Sequence, residues 1–180
     1  MYFAINEKYE RGSMRVFIIA AITADGFIGR NSGHSADWTG GEDKKVFVRL
    51  PKEAGTIVMG SRTFATIGRA LPGRRNIVYT TRPKEITAEG VETTKEAPAD
   101  LLARLEKEGV KAVAICGGGA IYNLFMSEGL VDELYLTVVP LLFGQGVTLF
   151  NGELDSKLDL TETTPLADGS LLLHYRVQKA

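Results

Sequence analysis

Short apolar runs rich in valine and isoleucine alternate along the chain with segments whose apolar residues recur every three or four positions. That rhythm predicts a sheet flanked by helices. Strands are expected over 15–23 (RVFIIAAIT), 56–59 (TIVM), 76–80 (NIVYT), 112–116 (AVAIC), 133–139 (ELYLTVV) and 170–178 (SLLLHYRVQ). The runs TIVM, NIVY and AVAI lack a period of two, which points to strands covered on both faces, as in a largely parallel sheet. The last strand follows the turn signal ADGS and is expected to pair antiparallel at the sheet's edge. Helices are expected over 42–50, 61–67, 98–107 and 119–128. The fold class is therefore α/β in three layers: a central, mostly parallel sheet, an antiparallel C-terminal edge strand, and helices on both faces. The acidic stretch GELDSKLDLTE reads as solvated surface.

A chain of 180 residues is long enough for one packed core and short for two. Residues 14–180 are read as one domain. The polar, charge-broken stretch 1–13 (MYFAINEKYERGS) is read as an N-terminal extension or added leader that, if native, serves as an edge element or interface arm. A net charge of -1 with 24% charged residues favours neither nucleic acid nor an anionic membrane as partner, so anion recognition must be local. No apolar run approaches the roughly 20 residues that span a bilayer. The single cysteine, Cys116, cannot form an internal disulfide, and cytoplasmic localisation is expected. His34 and His174 lack the close spacing of metal ligands, and no metal site is expected.

Three features carry candidate chemistry. Asp43 stands between Trp38 and Phe47, and on a helix over 42–50 it shares a face with Phe47 and Leu50. A carboxyl on an apolar face is costly to ionise, so its pKa rises and it suits a polar ligand. VMGSR (Val58 to Arg62) and ICGGGA (Ile115 to Ala120) each run from a buried strand through glycine into a helix start. Glycine admits a ligand close to the backbone, and the free N–H groups of the helix start favour an anion. Neither matches a GxGxxG or GxxxxGK[ST] fingerprint, and glycine at such a junction also serves as a plain turn former.

The pieces IAAITADGFIG, Trp38 with Asp43 and Phe47, VMGSRTFATIGRALPGRRNIVYTT, ICGGGAIY and DELYLTVV occur in an order that resembles dihydrofolate reductase, from Met14 to Lys179. The resemblance implies a dihydrofolate reductase-like fold and NADPH-dependent reduction of 7,8-dihydrofolate to tetrahydrofolate. It makes Asp43 the acid that binds the pterin and assists protonation, with Trp38 backing the site and Tyr122 facing nicotinamide and substrate. Ala21 and Ile28 would line both ligands, Phe47 would pack on the substrate, Arg74 would hold the glutamyl carboxylate, and Thr137 would bond the acid. For the cofactor it implies Gly29 in a covering loop, Thr63 beside Gly60 at the pyrophosphate, and Ser61, Arg62, Thr80, Thr81 and Arg82 around the 2'-phosphate. Gly117 and Gly118 would lie beneath the nicotinamide and diphosphate, with Cys116, Gly119, Ala120 and Ile121 also in contact with the cofactor. The implied partners are small molecules only, with the chain a monomer or homodimer.

TADGFIGRNSGHSADW and GLVDELYLTVVPLLFGQGVTLF also resemble the reductase domain of bacterial riboflavin biosynthesis. That resemblance implies the same fold and, as the alternative substrate, a ribosylated aminopyrimidine phosphate. The segment 31–37 is longer than the compact turn usual in dihydrofolate reductases. A nucleotide-binding regulatory protein without catalysis is the remaining class, and a buried acid argues against it.

Overall fold

A computed structural model describes residues 14–179; the expected leader over 1–13 lies outside the described residues. The first half of the chain forms β1 (Arg15–Thr23), β2 (Phe27–Gly29), α1 (Gly40–Ala54), β3 (Thr56–Gly60), α2 (Ser61–Ile67), β4 (Arg75–Tyr79) and β5 (Val91–Thr94). The second forms α3 (Pro98–Lys107), β6 (Ala112–Ile115), α4 (Gly119–Ser127), β7 (Glu133–Val139), β8 (Val147–Thr148), β9 (Leu158–Pro165) and β10 (Leu171–Val177). Eight strands make one sheet in the order β5-β4-β3-β6-β1-β7-β10-β9. The pairs from β5 to β7 are parallel, and β10 and β9 close the sheet antiparallel.

Alternate side chains of β1 supply two separate cores. Val16, Ile18 and Ala20 pack with Leu101 and Leu105 of α3 and Tyr122 and Phe125 of α4. Phe17 and Ile19 point the other way, toward Val46 and Leu50 of α1 and Phe64 of α2. Connections from β1 and β3 therefore leave through helices on one face, and the connection from β6, which lies between them, leaves on the opposite face. Where neighbouring strands send their chains to opposite faces, a crevice opens at the strands' carboxyl ends. Both sides of β6 have this property, and the glycine-bearing junctions lie there.

The expected α2 and α3 and the expected β1 and β7 coincide with the observed ones, and the sheet has the expected parallel body and antiparallel edge. Helix α1 runs past Leu50, because Pro51 in its last turn forfeits only its own donor. It ends at Gly55, whose φ of 74° lets its N–H reach the Pro51 carbonyl at 3.2 Å. The antiparallel edge is a hairpin: β9, exposed along almost its whole length, lies outside β10. No helix among the described residues is long and apolar enough to cross a membrane.

Phe125 is 0% exposed at the centre of the α3/α4 core. Truncation to alanine leaves a cavity as well as losing transfer energy, so Phe125→Ala is expected to lower the unfolding free energy by about 3–5 kcal/mol in a urea titration.

Candidate active site

Two strand-to-helix junctions meet at the crevice. At the first, β3 ends at Gly60 and α2 begins at Ser61; at the second, β6 leads through Cys116, Gly117 and Gly118 into α4. The Gly60 N–H donates to the Gly117 carbonyl at 2.8 Å, and the Cys116 N–H donates to Val58 O at 2.8 Å, so the two turns are held edge to edge. A Cβ on Gly118 would stand 3.3 Å from Thr63 Oγ1, and one on Gly117, at φ 115°, would stand 3.1 Å from the Tyr122 hydroxyl. Side chains at either position would fill the floor of the crevice. The peptide bond between them is cis.

The expected cofactor residues fall around this floor. Ser61, Arg62 and Thr63 form the first turn of α2, while Thr80, Thr81 and Arg82 follow β4, whose Tyr79 is in register with Gly60. Arg62, Thr81 and Arg82 are exposed. Ile121 packs against Gly60, its Cγ1 3.0 Å from where a Cβ would lie. Ala120 is exposed on α4. Cys116 is buried, its Sγ 3.5 Å from Ala114 O and its thiol pushed up to about 12 by burial. Its side chain belongs to the core, and only its backbone borders the crevice.

Asp43 lies across β1 from these turns. It is 6% exposed, on the first turn of α1, and has no ion-pair partner among the described residues. Burial raises its pKa; the Thr137 side chain, and the nearby hydroxyl of Thr39, act against that rise, and the negative charge of Asp168 adds to it. Thr137 on β7 is in register with Ala21 on β1, which brings the strand threonine and the half-buried Ala21 to one place beside the acid. Phe47, one turn along α1, is half-buried. Arg74 lies beside the same helix, its Nη1 3.5 Å from Val48 O and its Nε donating to Pro72 O at 3.1 Å.

Tyr122 takes a supporting place. Its hydroxyl donates to Ile19 O at 2.7 Å and the residue is 4% exposed, so its one donor ties α4 to β1 instead of turning to a ligand. Trp38 stacks edge-on against Phe143, ring centroids 5.1 Å apart, and its buried Nε1–H has no partner among the described residues. An orphaned donor of this kind beside an apolar wall suits a bound water or ligand oxygen.

A roof covers the site. The short ribbon of β2 and β8 crosses the start of α4, where Gly119 admits Ile28 Cδ1 and Thr148 O to 3.6 and 3.3 Å of its Cβ position. Gly29 ends the β2 strand of this ribbon and is buried. Asp25 fastens the roof: its carboxylate accepts the Gly144 N–H at 2.7 Å, the Phe143 N–H at 3.2 Å and the Thr23 hydroxyl at 2.6 Å. The Thr23 hydroxyl, then the Gly144 and Phe143 N–H groups, hold its pKa below the ordinary carboxylate value. The long 31–37 segment folds under Phe143, with the His34 ring at 5.7 Å and the Arg30 guanidinium at 4.2 Å from the Phe143 ring.

Residues 15–172 match the RibD C-terminal domain family. The chain belongs to that family. Among relatives of this RibD C-terminal domain, an uncharacterised protein of Bacillus subtilis (strain 168), YwjB, is 29% identical over 89% of this chain and 97% of that protein. Dihydrofolate reductase type 3 of Salmonella typhimurium is 38% identical over 70% of this chain and 72% of its own. In fold, the chain resembles a putative riboflavin biosynthesis protein from Shewanella sp. PV-4, with a TM-score of 0.79, 23% identity, and 92% of this chain and 100% of the other covered. A pyrimidine reductase-like protein from Corynebacterium diphtheriae gives a TM-score of 0.74 at 19% identity, with 93% of each chain covered. The RibD C-terminal domain described here is thus an oxidoreductase of the superfamily that also holds the dihydrofolate reductases.

Reductases of this superfamily generally use NADPH. The residues present fit that group: a floor where a Cβ at Gly117 or Gly118 would crowd Tyr122 or Thr63, a helix start at Ser61, and exposed Arg62 and Arg82 at neighbouring strand ends. The roof residues Asp25 and Phe143 and the acid's neighbour Asp168 carried no signal that marked them in the sequence. Each acts across more than a hundred positions, so neighbours in sequence could not reveal it.

The raised pKa of Asp43 has a consequence for stability. Its carboxyl binds a proton more tightly folded than unfolded, so stability falls as pH rises from the unfolded value of 3.8 to the folded one and is level above it. Asp43→Asn, which removes the buried charge, is expected to raise Tm at pH 7. Melting curves across pH should show the mutant's advantage growing over that window and vanishing below it.

Proposed function

We propose that this protein reduces 7,8-dihydrofolate to 5,6,7,8-tetrahydrofolate with NADPH, and that Asp43 binds the pterin and assists its protonation. The observation that carries the reading is a buried carboxyl, free of any ion pair among the described residues, whose neighbours Thr137 and Thr39 leave it able to bond a ligand. An ionised carboxylate accepts two N–H bonds from an amino-pyrimidine edge, and a raised pKa extends the protonated form to higher pH than in an exposed aspartate. When bound, NADPH supplies the hydride and leaves as NADP+. The chain's own residues do the remainder. Asp43 fixes the pyrimidine edge and brings a proton toward the ring nitrogen next to the hydride acceptor, Trp38 Nε1–H orders a water or ligand oxygen, and the Phe143 roof excludes bulk solvent.

Arg74 beside α1 suits the glutamyl tail, because a guanidinium grips a carboxylate with two parallel bonds. Ser61, Arg62, Thr81 and Arg82 suit a 2'-phosphate, which favours NADPH over NADH. The proposed setting is the cytoplasm, and the protein acts as a monomer or homodimer on a small molecule. The match to the RibD C-terminal domain favours a second reading, reduction of a ribosylated aminopyrimidine phosphate. Both substrates present the amino-pyrimidine edge that Asp43 would hold, and they differ in the tail.

The deciding experiment follows the loss of NADPH absorbance with each substrate. Oxidation with dihydrofolate, lost by orders of magnitude in Asp43→Asn while NADPH affinity is kept, is the expected result. Because the acid works from its protonated form, the rate should fall as pH rises through the raised pKa of Asp43. Turnover of the ribosylated pyrimidine alone would transfer the assignment to the second reading. Arg74→Leu is expected to raise KM for dihydrofolate with kcat little changed, since it removes a contact made equally in ground and transition states; an unchanged KM would speak for a substrate without the glutamyl tail.

A further inference from the structure

Helix α1 begins without a cap of its own. Thr39, at its N-cap, makes no side-chain cap bond, and its hydroxyl lies 3.0 Å from Ala36 O. The first turn nonetheless carries Asp43 in a fixed, buried position, so its free N–H groups need an acceptor from elsewhere. One arrives from the far end of the chain. The turn between β9 and β10 places Asp168 against the helix start, close enough that a Cβ on Gly40 would stand 2.9 Å from Asp168 Oδ2. Asp168 is itself held, with Oδ1 accepting the Ser170 N–H at 3.0 Å, and the Glu42 backbone N–H also stabilises its charge.

We propose that Asp168 is a positioning residue for Asp43: it closes the open N-terminus of α1 from outside and so fixes the helical turn that presents the acid to the substrate. A carboxylate at a helix N-terminus is favoured by the free N–H groups and by the dipole. Gly40 has φ 86° and no side chain, which lets the hairpin approach. The placement has an electrical side as well, because Asp168 is an anion facing the acid's own turn. The groups that act on Asp43 are Lys44 from its own helix, Asp168 from the hairpin, the hydroxyls of Thr137 and Thr39, and Tyr122, the phenol whose ionisation Asp43 opposes. Lys45 is drawn to Glu42 first and to Asp168 second. The inference rests on the reading of Asp43 as the working acid, yet its central measurement needs no substrate.

The test compares the full chain with Asp168→Asn, which keeps the shape and removes the charge, and Asp168→Ala, which removes both. Asp43 is titrated by carboxyl 13C NMR, amide hydrogen exchange is followed at Glu42, and kcat and KM are measured across pH with the better substrate. The Asp43 midpoint is expected to move to lower pH in both variants, the more so at low salt, where a solvent-exposed charge is least screened. Amide exchange at Glu42 should quicken in Asp168→Ala and hardly change in Asp168→Asn, and the falling limb of kcat should follow the NMR midpoint with KM for NADPH unmoved. An Asp43 midpoint identical in wild type and Asp168→Asn, together with unaltered exchange in Asp168→Ala, would overturn the proposal even if both variants melted earlier. Should Asp168→Ala not fold, the midpoint of Asp168→Asn decides alone. Loss of the dihydrofolate reaction in wild type would defeat the assigned substrate and leave the titration result standing.

Discussion

A carboxyl group kept out of water, with no cation paired to it among the described residues, is the constraint around which this protein is built. Asp43 would be cheaper exposed, or absent, and holding it where it is takes contributions from distant parts of the chain: Thr137 from β7, the start of α1, and the turn between β9 and β10. Its raised pKa is the visible cost of that arrangement and, on the proposed reading, also what makes it useful, because the protonated form persists to higher pH than in an exposed aspartate. Stability and chemistry thus pull against each other at one side chain, as is common where a site is built on an otherwise ordinary core.

The second half of the site depends on β6. Its neighbours send their connections to one face of the sheet and it sends its own to the other, and the resulting gap is floored by Gly60, Gly117 and Gly118. The Tyr122 hydroxyl, bonded to Ile19 O, joins this floor to β1. The buried acid and the glycine floor are therefore not independent modules; both are referred to the same central strand. The roof is a third part, fastened by Asp25 and lined by Phe143.

Much of this was legible in the residues. Buried strands announced themselves through unbroken valine and isoleucine, and the glycine junctions through the abrupt change from apolar run to helix start. The site's principal acid was legible because Asp43 lies in sequence beside the aromatics that surround it. What escaped had one of two physical causes. Strands β5 and β9 carry charged or hydroxyl side chains at most positions, so pairing with a neighbour, not burial, makes them strands. Asp168, Asp25 and Phe143 act through tertiary contacts, and a turn signal such as ADGS tells where the chain reverses without telling what it then touches. Tyr122 was marked by the resemblance alone, and the bond its hydroxyl donates to the carbonyl of Ile19, more than a hundred positions away, could not be read from sequence.

The order of strands in the sheet carries one more consequence. Among the described strands β1 comes first in sequence, yet it is flanked by β6 and β7, and its residues Phe17, Ile18 and Ile19 are almost wholly buried. The segments that pair with its two edges, β6 and β7, lie far downstream, within residues 112–139. An apolar ribbon with both edges open is a template for association with other chains. Native pairing of the central strand thus waits on segments made much later, and whatever covers its apolar edges in the interval protects the chain from association.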